Sequence, residues 1–220
     1  SRPLPGTDGS GRPFWSPDSK ELGFFADGNF KQVAAAGGPV QLVGESGNAS
    51  DGAWSKDYVL FDATGGDSIR GIPVTGGPMV PLTTIDRSIG ETQHAWPFAL
   101  PDGKHFLFQA FRTGQGRSSV IRLGTFGTLK SVVVDSSASR AEFLPPNHLV
   151  YVKDGAVIAR RFDIASGKVT GNPIVIGENA GSSVNTQAFS ASSVGTVAFQ
   201  RSSGGGAMVI HRYDRKGTPL

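Results

Sequence analysis

The sequence predicts an all-β chain, a five-bladed β-propeller of four-stranded antiparallel blades, and three observations carry that expectation. A motif recurs at a fixed period, each copy holds about four short apolar runs, and glycine-rich turns separate the runs. With Asp18 as the marker, its equivalents are Asp57, Asp102, Asn147 and, with one residue of slack, Ser193, spaced 39 to 46 residues apart. A four-stranded propeller blade occupies roughly 40–45 residues. One twisted sheet cannot bury both of its faces, so the copies must pack face to face, and radial stacking leaves only short protected edges.

The copies follow in order. The first, about 10–43, opens on Pro13-Phe14-Trp15-Ser16-Pro17-Asp18, continues with runs at Leu22 to Phe25 and Phe30 to Val33 about an Asp27-Gly28 turn, and closes at Gly37-Gly38-Pro39. The second, about 50–84, has Ala53-Trp54-Ser55-Lys56-Asp57, Val59 to Phe61, Ile69 to Val74 and Gly76-Gly77-Pro78. The third, about 94–134, carries Trp96-Pro97-Phe98, Leu100-Pro101-Asp102-Gly103, His105 to Phe108 and a long polar loop at Arg112 to Ser119. The fourth, about 139–177, keeps Glu142 to Asn147, Leu149 to Val152, the Asp154-Gly155 turn, Val157 to Phe162 and Gly171-Asn172-Pro173. The fifth, about 186–220, keeps Ala188-Phe189-Ser190, Thr196 to Phe199 and Met208 to Tyr213. It lacks an outer strand, and Arg2 to Pro5 is the spare segment that would supply one, so residues 1–6 are expected to pair with Met208 to Tyr213 and close a single domain over 1–220.

Within each copy the Asp of the Pro-Asp position reads as a turn residue that accepts backbone N–H bonds. That assigns Asp18, Asp57 and Asp102 to structure. Trp15, Trp54, Phe98, Phe143 and Phe189 recur beside it and read as core between blades, since large aromatics dominate packed interiors.

Composition excludes several classes. Glycine contributes 31 of 220 residues and charged residues only 18%, which with a repeat means many tight turns. The net charge of +3 is small and its cations are scattered, whereas a nucleic-acid surface needs a basic stripe, so no nucleic-acid partner is expected. No apolar stretch is long enough for a membrane helix. Without cysteine there are neither disulfides nor thiolate metal sites.

Trp15-Ser16-Pro17-Asp18, the worn copies at Trp54 to Asp57 and Leu100 to Gly103, and the period together resemble the TolB-like β-propeller repeat across nearly the whole chain. Arg2 to Thr7 leading into Pro13 to Asp18, and Gly90-Glu91-Thr92 with His94, Trp96-Pro97 and Leu100 to Phe108, resemble the propeller region of soil-bacterial serine/threonine protein kinases. That resemblance implies a sensor or protein-interaction platform, placed outside the cytoplasmic membrane as part of a larger membrane-anchored kinase. It does not imply kinase activity: the Gly-rich nucleotide loop, His-Arg-Asp and Asp-Phe-Gly are all absent.

Residues just before the recurrent aromatics fall where each innermost strand begins, at the mouth of the central channel. This places Arg12, Asp51, Glu91, His94, Arg140 and Asn185 or Gln187 there, a polar funnel fit for a ligand. Glu91 and His94 form the sharpest pair, able to act as acid and base or to give two ligands to a metal, with a third from Asp51 or Glu142. Against this, His94 can simply bond a neighbouring blade. His105 and His211 alternate with core positions, and His148 falls in a turn. The expected function is a non-catalytic binding module without a cofactor, contacting its ligand at the mouth or through the Arg112 to Ser119 loop. The alternative is a propeller hydrolase acting on a sugar or lactone, with Glu91, His94, Asp51 and Glu142 in the funnel and a metal ion in the channel.

Overall fold

The computed structural model describes residues 3–63, 67–113, 118–137, 139–180, 189–200 and 210–213. Among them the chain is all β, with no α-helix and a single 3-10 turn at Arg87–Ile89. No helix there is long and apolar enough to cross a membrane.

The strands form five antiparallel meanders in chain order. The first sheet is β1 (Gly11–Trp15), β2 (Glu21–Ala26), β3 (Asn29–Ala34) and β4 (Gln41–Glu45). The second is β5 (Ala49–Trp54), β6 (Tyr58–Ala63), β7 (Arg70–Pro73) and β8 (Val80–Pro81). The third is β9 (Glu91–Ala99), β10 (His105–Arg112), β11 (Ser118–Thr125) and β12 (Ser131–Ser136). The fourth is β13 (Glu142–Leu144), β14 (His148–Lys153), β15 (Ala156–Asp163) and β16 (Lys168–Gly177). The fifth holds β17 (Phe189–Ala191), β18 (Val197–Gln200) and β19 (Ile210–Tyr213). This architecture is consistent with a β-propeller.

Local chemistry explains the turns. Asp27-Gly28 and Asp154-Gly155 both adopt positive φ, at 54° and 73° and at 51° and 76°. Such paired left-handed residues make the two-residue hairpin whose twist matches that of the strands. Gly171-Asn172-Pro173, in contrast, makes no turn. β16 runs through it with an irregularity, pairing Ile174 with Ala159 and Thr170 with Arg161.

The core lies between successive sheets. Phe25, Phe30, Val59, Phe61 and Ile72 fill the first interface, and Leu60, Ile69, Leu82, Phe106 and Phe108 the second. Leu107, Ile121, Phe143, Leu149 and Tyr151 fill the third, and Val150, Val157, Phe189 and Phe199 the fourth. Each such ring or branched side chain contributes roughly 1.5–3 kcal/mol by burial.

Two sequence assignments change here. Trp15 is 56% exposed; its neighbour Phe14 enters the interface instead, stacked 5.9 Å from Phe30 and edge-on to Trp54. Adjacent residues of a strand point to opposite faces, so the Phe-Trp pair can commit only one ring to that interface. The second turn is held by Ser55, whose hydroxyl donates to Tyr58 O at 2.8 Å and accepts from Tyr58 N–H at 2.9 Å. Asp18 and Asp102 keep their turn roles, accepting from Lys20 N–H and from the N–H groups of Lys104 and His105.

The expected pairing of Arg2 to Pro5 with Met208 to Tyr213 falls largely outside the described residues. Pro3 and Leu4 carry no strand, and Leu4 packs on buried Phe24, Ala26 and Val33, on the face of the first sheet turned away from the second. Residues of all five sheets meet at one place. The far ends of the innermost strands surround a cavity of about 290 Å3, to which Pro17, Trp54, Phe98, Phe143 and Ala191 each contribute from a different sheet.

Candidate functional site

The innermost strands of the first three sheets share a device that re-aims side chains. In β1, Gly11 pairs with Phe25 and Phe14 with Gly23; in β5, Ala49 pairs with Ala63 and Gly52 with Phe61; in β9, Ala95 pairs with Gln109 and Phe98 with Leu107. Each register holds one extra residue on the inner strand, the signature of a β-bulge, which bends the strand and re-aims a side chain. Arg12 and Trp96 take the strained position, at φ 45° and 56°.

Asp51 stands at the equivalent place in β5. It is buried, and Arg12 of the first sheet donates to its carboxylate. Behind it lies Asp62, only 2% exposed, which accepts from Ser50 Oγ at 2.6 Å, Asp51 N–H at 2.8 Å and Trp96 N–H at 2.9 Å. Burial pushes the Asp62 carboxyl above its usual range, outweighing the bonds from Ser50 and Trp96. Asp62 therefore ties the second sheet to the bulge of the third. The sequence marks it only as one polar residue inside an apolar run, which is the signal for a buried carboxylate.

Glu91 and His94 are brought together, but inside the protein, at 2% and 1% exposure. The segment that delivers them is fixed by Asp86, whose side chain accepts from Ser88 N–H at 3.0 Å, and by Gly90, whose φ of 80° sends the chain into β9. Glu91 Oε2 accepts from Asp86 N–H at 3.0 Å and from His94 Nε2 at 3.1 Å, while Oε1 accepts from Arg122 Nη1 at 2.8 Å. On the other side of the ring, Thr83 Oγ1 takes Ile69 N–H at 2.9 Å and lies 2.9 Å from His94 Nδ1.

The donor count fixes the tautomer. The Glu91 carboxylate can only accept, so Nε2 carries the hydrogen, and in the neutral ring Nδ1 then accepts from the Thr83 hydroxyl. Burial lowers the His94 pKa, outweighing the neighbouring carboxylate, and keeps the ring neutral. For Glu91 burial acts upward but is outweighed by the Asp86 N–H, His94 and Arg122, which hold the carboxyl below its ordinary value. Every strong hydrogen-bonding atom of the pair has a partner. Arg122 and Thr83, one across the sheet and one just beyond the last strand of the preceding sheet, could not be paired with Glu91 and His94 from spacing.

Arg140 and Glu142 form a third pair, Nη2 to Oε1 at 3.0 Å, and Glu142 Oε2 accepts Ala191 N–H of the fifth sheet at 2.5 Å. Asn185 and Gln187 lie outside the described residues, as does most of the loop between Arg112 and Ser119. Asp51 and Glu142 do not join Glu91 and His94 in a metal-sized cluster: among the described residues no three His, Asp or Glu side chains converge.

The fourth carboxylate of this kind was not anticipated. Asp135 of β12 accepts from Tyr151 Oη at 2.5 Å, Lys153 Nζ at 2.8 Å and Arg160 Nη1 at 3.0 Å, all on the next sheet. Each interface between successive sheets thus has its carboxylate clasp: Asp51, Asp62, Asp135 and Glu142 in turn.

No protein-family model matches the chain, and no curated protein matches it in sequence. Solved structures do. TolB from Acinetobacter baumannii superposes with a TM-score of 0.72 at 16% identity, over 96% of this chain and 53% of that one. A putative TolB from Agrobacterium tumefaciens gives 0.63 at 17% identity, over 95% and 78%, and a gluconolactonase from Xanthomonas campestris 0.66 at 11%, over 96% and 74%. The chain spans about half the length of the Acinetobacter protein. At such identities the likeness shows the fold, a TolB-like β-propeller, and leaves function to the residues.

Proposed function

We propose that this chain is a closed five-bladed propeller acting as a non-catalytic binding module, its ligand or protein partner received at the channel mouth around Arg12, Trp96 and Arg140, with Gln187 from the fifth blade. One observation carries the reading. The titratable groups that a hydrolase would need are spent on holding sheets together, since Asp51, Asp62, Glu91, His94 and Glu142 each receive hydrogen bonds from neighbouring strands or sheets. A general acid or base needs a free proton position within reach of substrate. Glu91 and His94 are buried with every strong donor and acceptor atom engaged, and Asp62 and Glu142 accept on both carboxylate oxygens.

At the mouth the Arg12 side chain is 48% exposed while it grips Asp51. A guanidinium in that position can bond a partner's carboxylate or carbonyl without leaving its own. The sensor role, extracytoplasmic placement and kinase parent implied by the sequence resemblance accompany this reading.

The test is direct. The purified chain is assayed for hydrolysis of D-glucono-1,5-lactone with and without added calcium or zinc, alongside the Glu91→Gln and Asp51→Asn variants. The expected result is no rate above the spontaneous one, with both variants altered only in stability. Metal-dependent turnover abolished by either variant would replace the binding reading with the hydrolase one.

A further inference from the structure

The cavity at the far ends of the innermost strands lies away from the bulges and meets the clasps only at Ala191, whose N–H bonds Glu142, and its lining has a different chemistry. Trp54, Phe98, Leu100 and Phe143 line it, Ala191 contributes from the fifth sheet, and Lys56 is the one charged residue among the lining groups. No carboxylate lines it. Two of the neighbouring turn carboxylates are engaged elsewhere, Asp18 with Ser16 and Lys20, and Asp102 with Lys104 and His105. Among the described residues Lys56 makes no ion pair.

At about 290 Å3 the space is at the small end of the range for small-ligand sites and holds a one- or two-ring molecule. Mostly apolar walls with a few polar groups, here Lys56, Ser55 and Ser193, are how such sites bind and orient a ligand. A polar groove of about 370 Å3 between the first two sheets meets the cavity at Trp54 and Lys56 and carries Asp18 and Glu21. Those carboxylates repel an anion in the groove, whereas Lys56 attracts one at the junction.

We propose that this cavity is a binding site for a small aromatic carboxylate, its ring packed among Trp54, Phe98 and Phe143 and its carboxylate on Lys56 Nζ. The site is independent of the partner surface at the opposite mouth. Ring burial supplies the affinity, and the ammonium selects acids over neutral or cationic analogues of the same shape.

Calorimetric titration of the full chain with 2-naphthoate, 2-naphthylmethanol and 2-naphthylmethylammonium tests this. The acid is expected to bind one per chain, and more tightly than the alcohol by about fivefold, the worth of one partly exposed charge pair. The ammonium should bind weakest. Lys56→Met should abolish the preference for the acid while leaving the alcohol's affinity within about twofold. Amide and indole shifts in NMR locate the ligand without a variant that perturbs folding, and are expected at Trp54, Ala99 and Ala191. No binding at millimolar ligand overturns the proposal. So do equal affinities for acid and alcohol, or shifts centred on Arg12 and Asp51 instead.

Discussion

Glu91 shows at the level of single residues why polarity in this chain reads as architecture. Its carboxylate is 1% exposed and its charge is balanced chiefly by Arg122, at 15%, with Arg112 Nη2 a further partner at 3.9 Å. Removing one partner of a buried pair leaves the other uncompensated, at a typical cost of about 3–5 kcal/mol. Because Asp86 N–H and His94 still bond Glu91, Arg122→Met should cost about 2–3 kcal/mol in urea unfolding, with part regained in the Glu91→Gln, Arg122→Met double variant. A loss under about 0.5 kcal/mol would show the pair to be incidental. Asp135 makes a pH prediction. Burial pushes its carboxyl up, but the bonds from Lys153 and Tyr151 outweigh this and hold it at about 2, against an ordinary 3.8. A carboxylate with a depressed folded pKa stabilises fully above its unfolded value, and that contribution is lost as pH falls through the folded one. Stability should therefore decline between about pH 4 and pH 2, and Asp135→Asn should flatten that part of the curve. An unchanged slope in the variant would remove Asp135 from the account of acid unfolding.

Within elements, glycine serves two purposes, and sequence reading saw one. At Gly28 and Gly155 it permits the positive φ of a hairpin. At Gly52 and Gly177 it sits inside a strand beneath an aromatic ring of the adjacent sheet. A Cβ on Gly52 would lie 2.2 Å from Phe14 Cε1, and one on Gly177 2.0 Å from Phe199 Cζ. The rings must move if a methyl is added, and overpacking of this kind typically costs about 1–3 kcal/mol. Gly52→Ala and Gly177→Ala should each lower stability in that range, while Gly11→Ala, with open space around its Cβ, should change it by less than about 0.5 kcal/mol. Equal melting temperatures for all three would contradict the packing argument. The strands and their turns were legible because period-two runs and Asp-Gly pairs are local signals. The ring-over-glycine contacts and the choice of Phe14 over Trp15 were not, because they depend on which neighbouring sheet lies opposite. For the same reason the Glu91–His94 proximity was readable from three-residue spacing, but its burial against Thr83 and Arg122 was not.

Across the whole molecule, the repeat foretold antiparallel sheets in sequence, and residues of all five copies line one cavity. The remaining seam is between the fifth sheet and the first. Leu4 on Phe24, Ala26 and Val33 is the described contact on that side. With the N-terminal segment completing the last blade, Leu4→Asp should raise amide exchange in β17 to β19 as well as in β2 and β3. Loss of protection confined to the first sheet would mean an open array. The clasps bear on how the molecule resists force. Arg12–Asp51, Asp62–Trp96, Asp135 with Tyr151, Lys153 and Arg160, and Glu142–Ala191 each join one sheet only to the next. They act in series, like links of a chain under tension. Once the terminal segments part, a pull between the ends loads these links in series, and each sheet that yields releases roughly 40 residues of slack, so load is shed in steps while the remaining sheets stay folded.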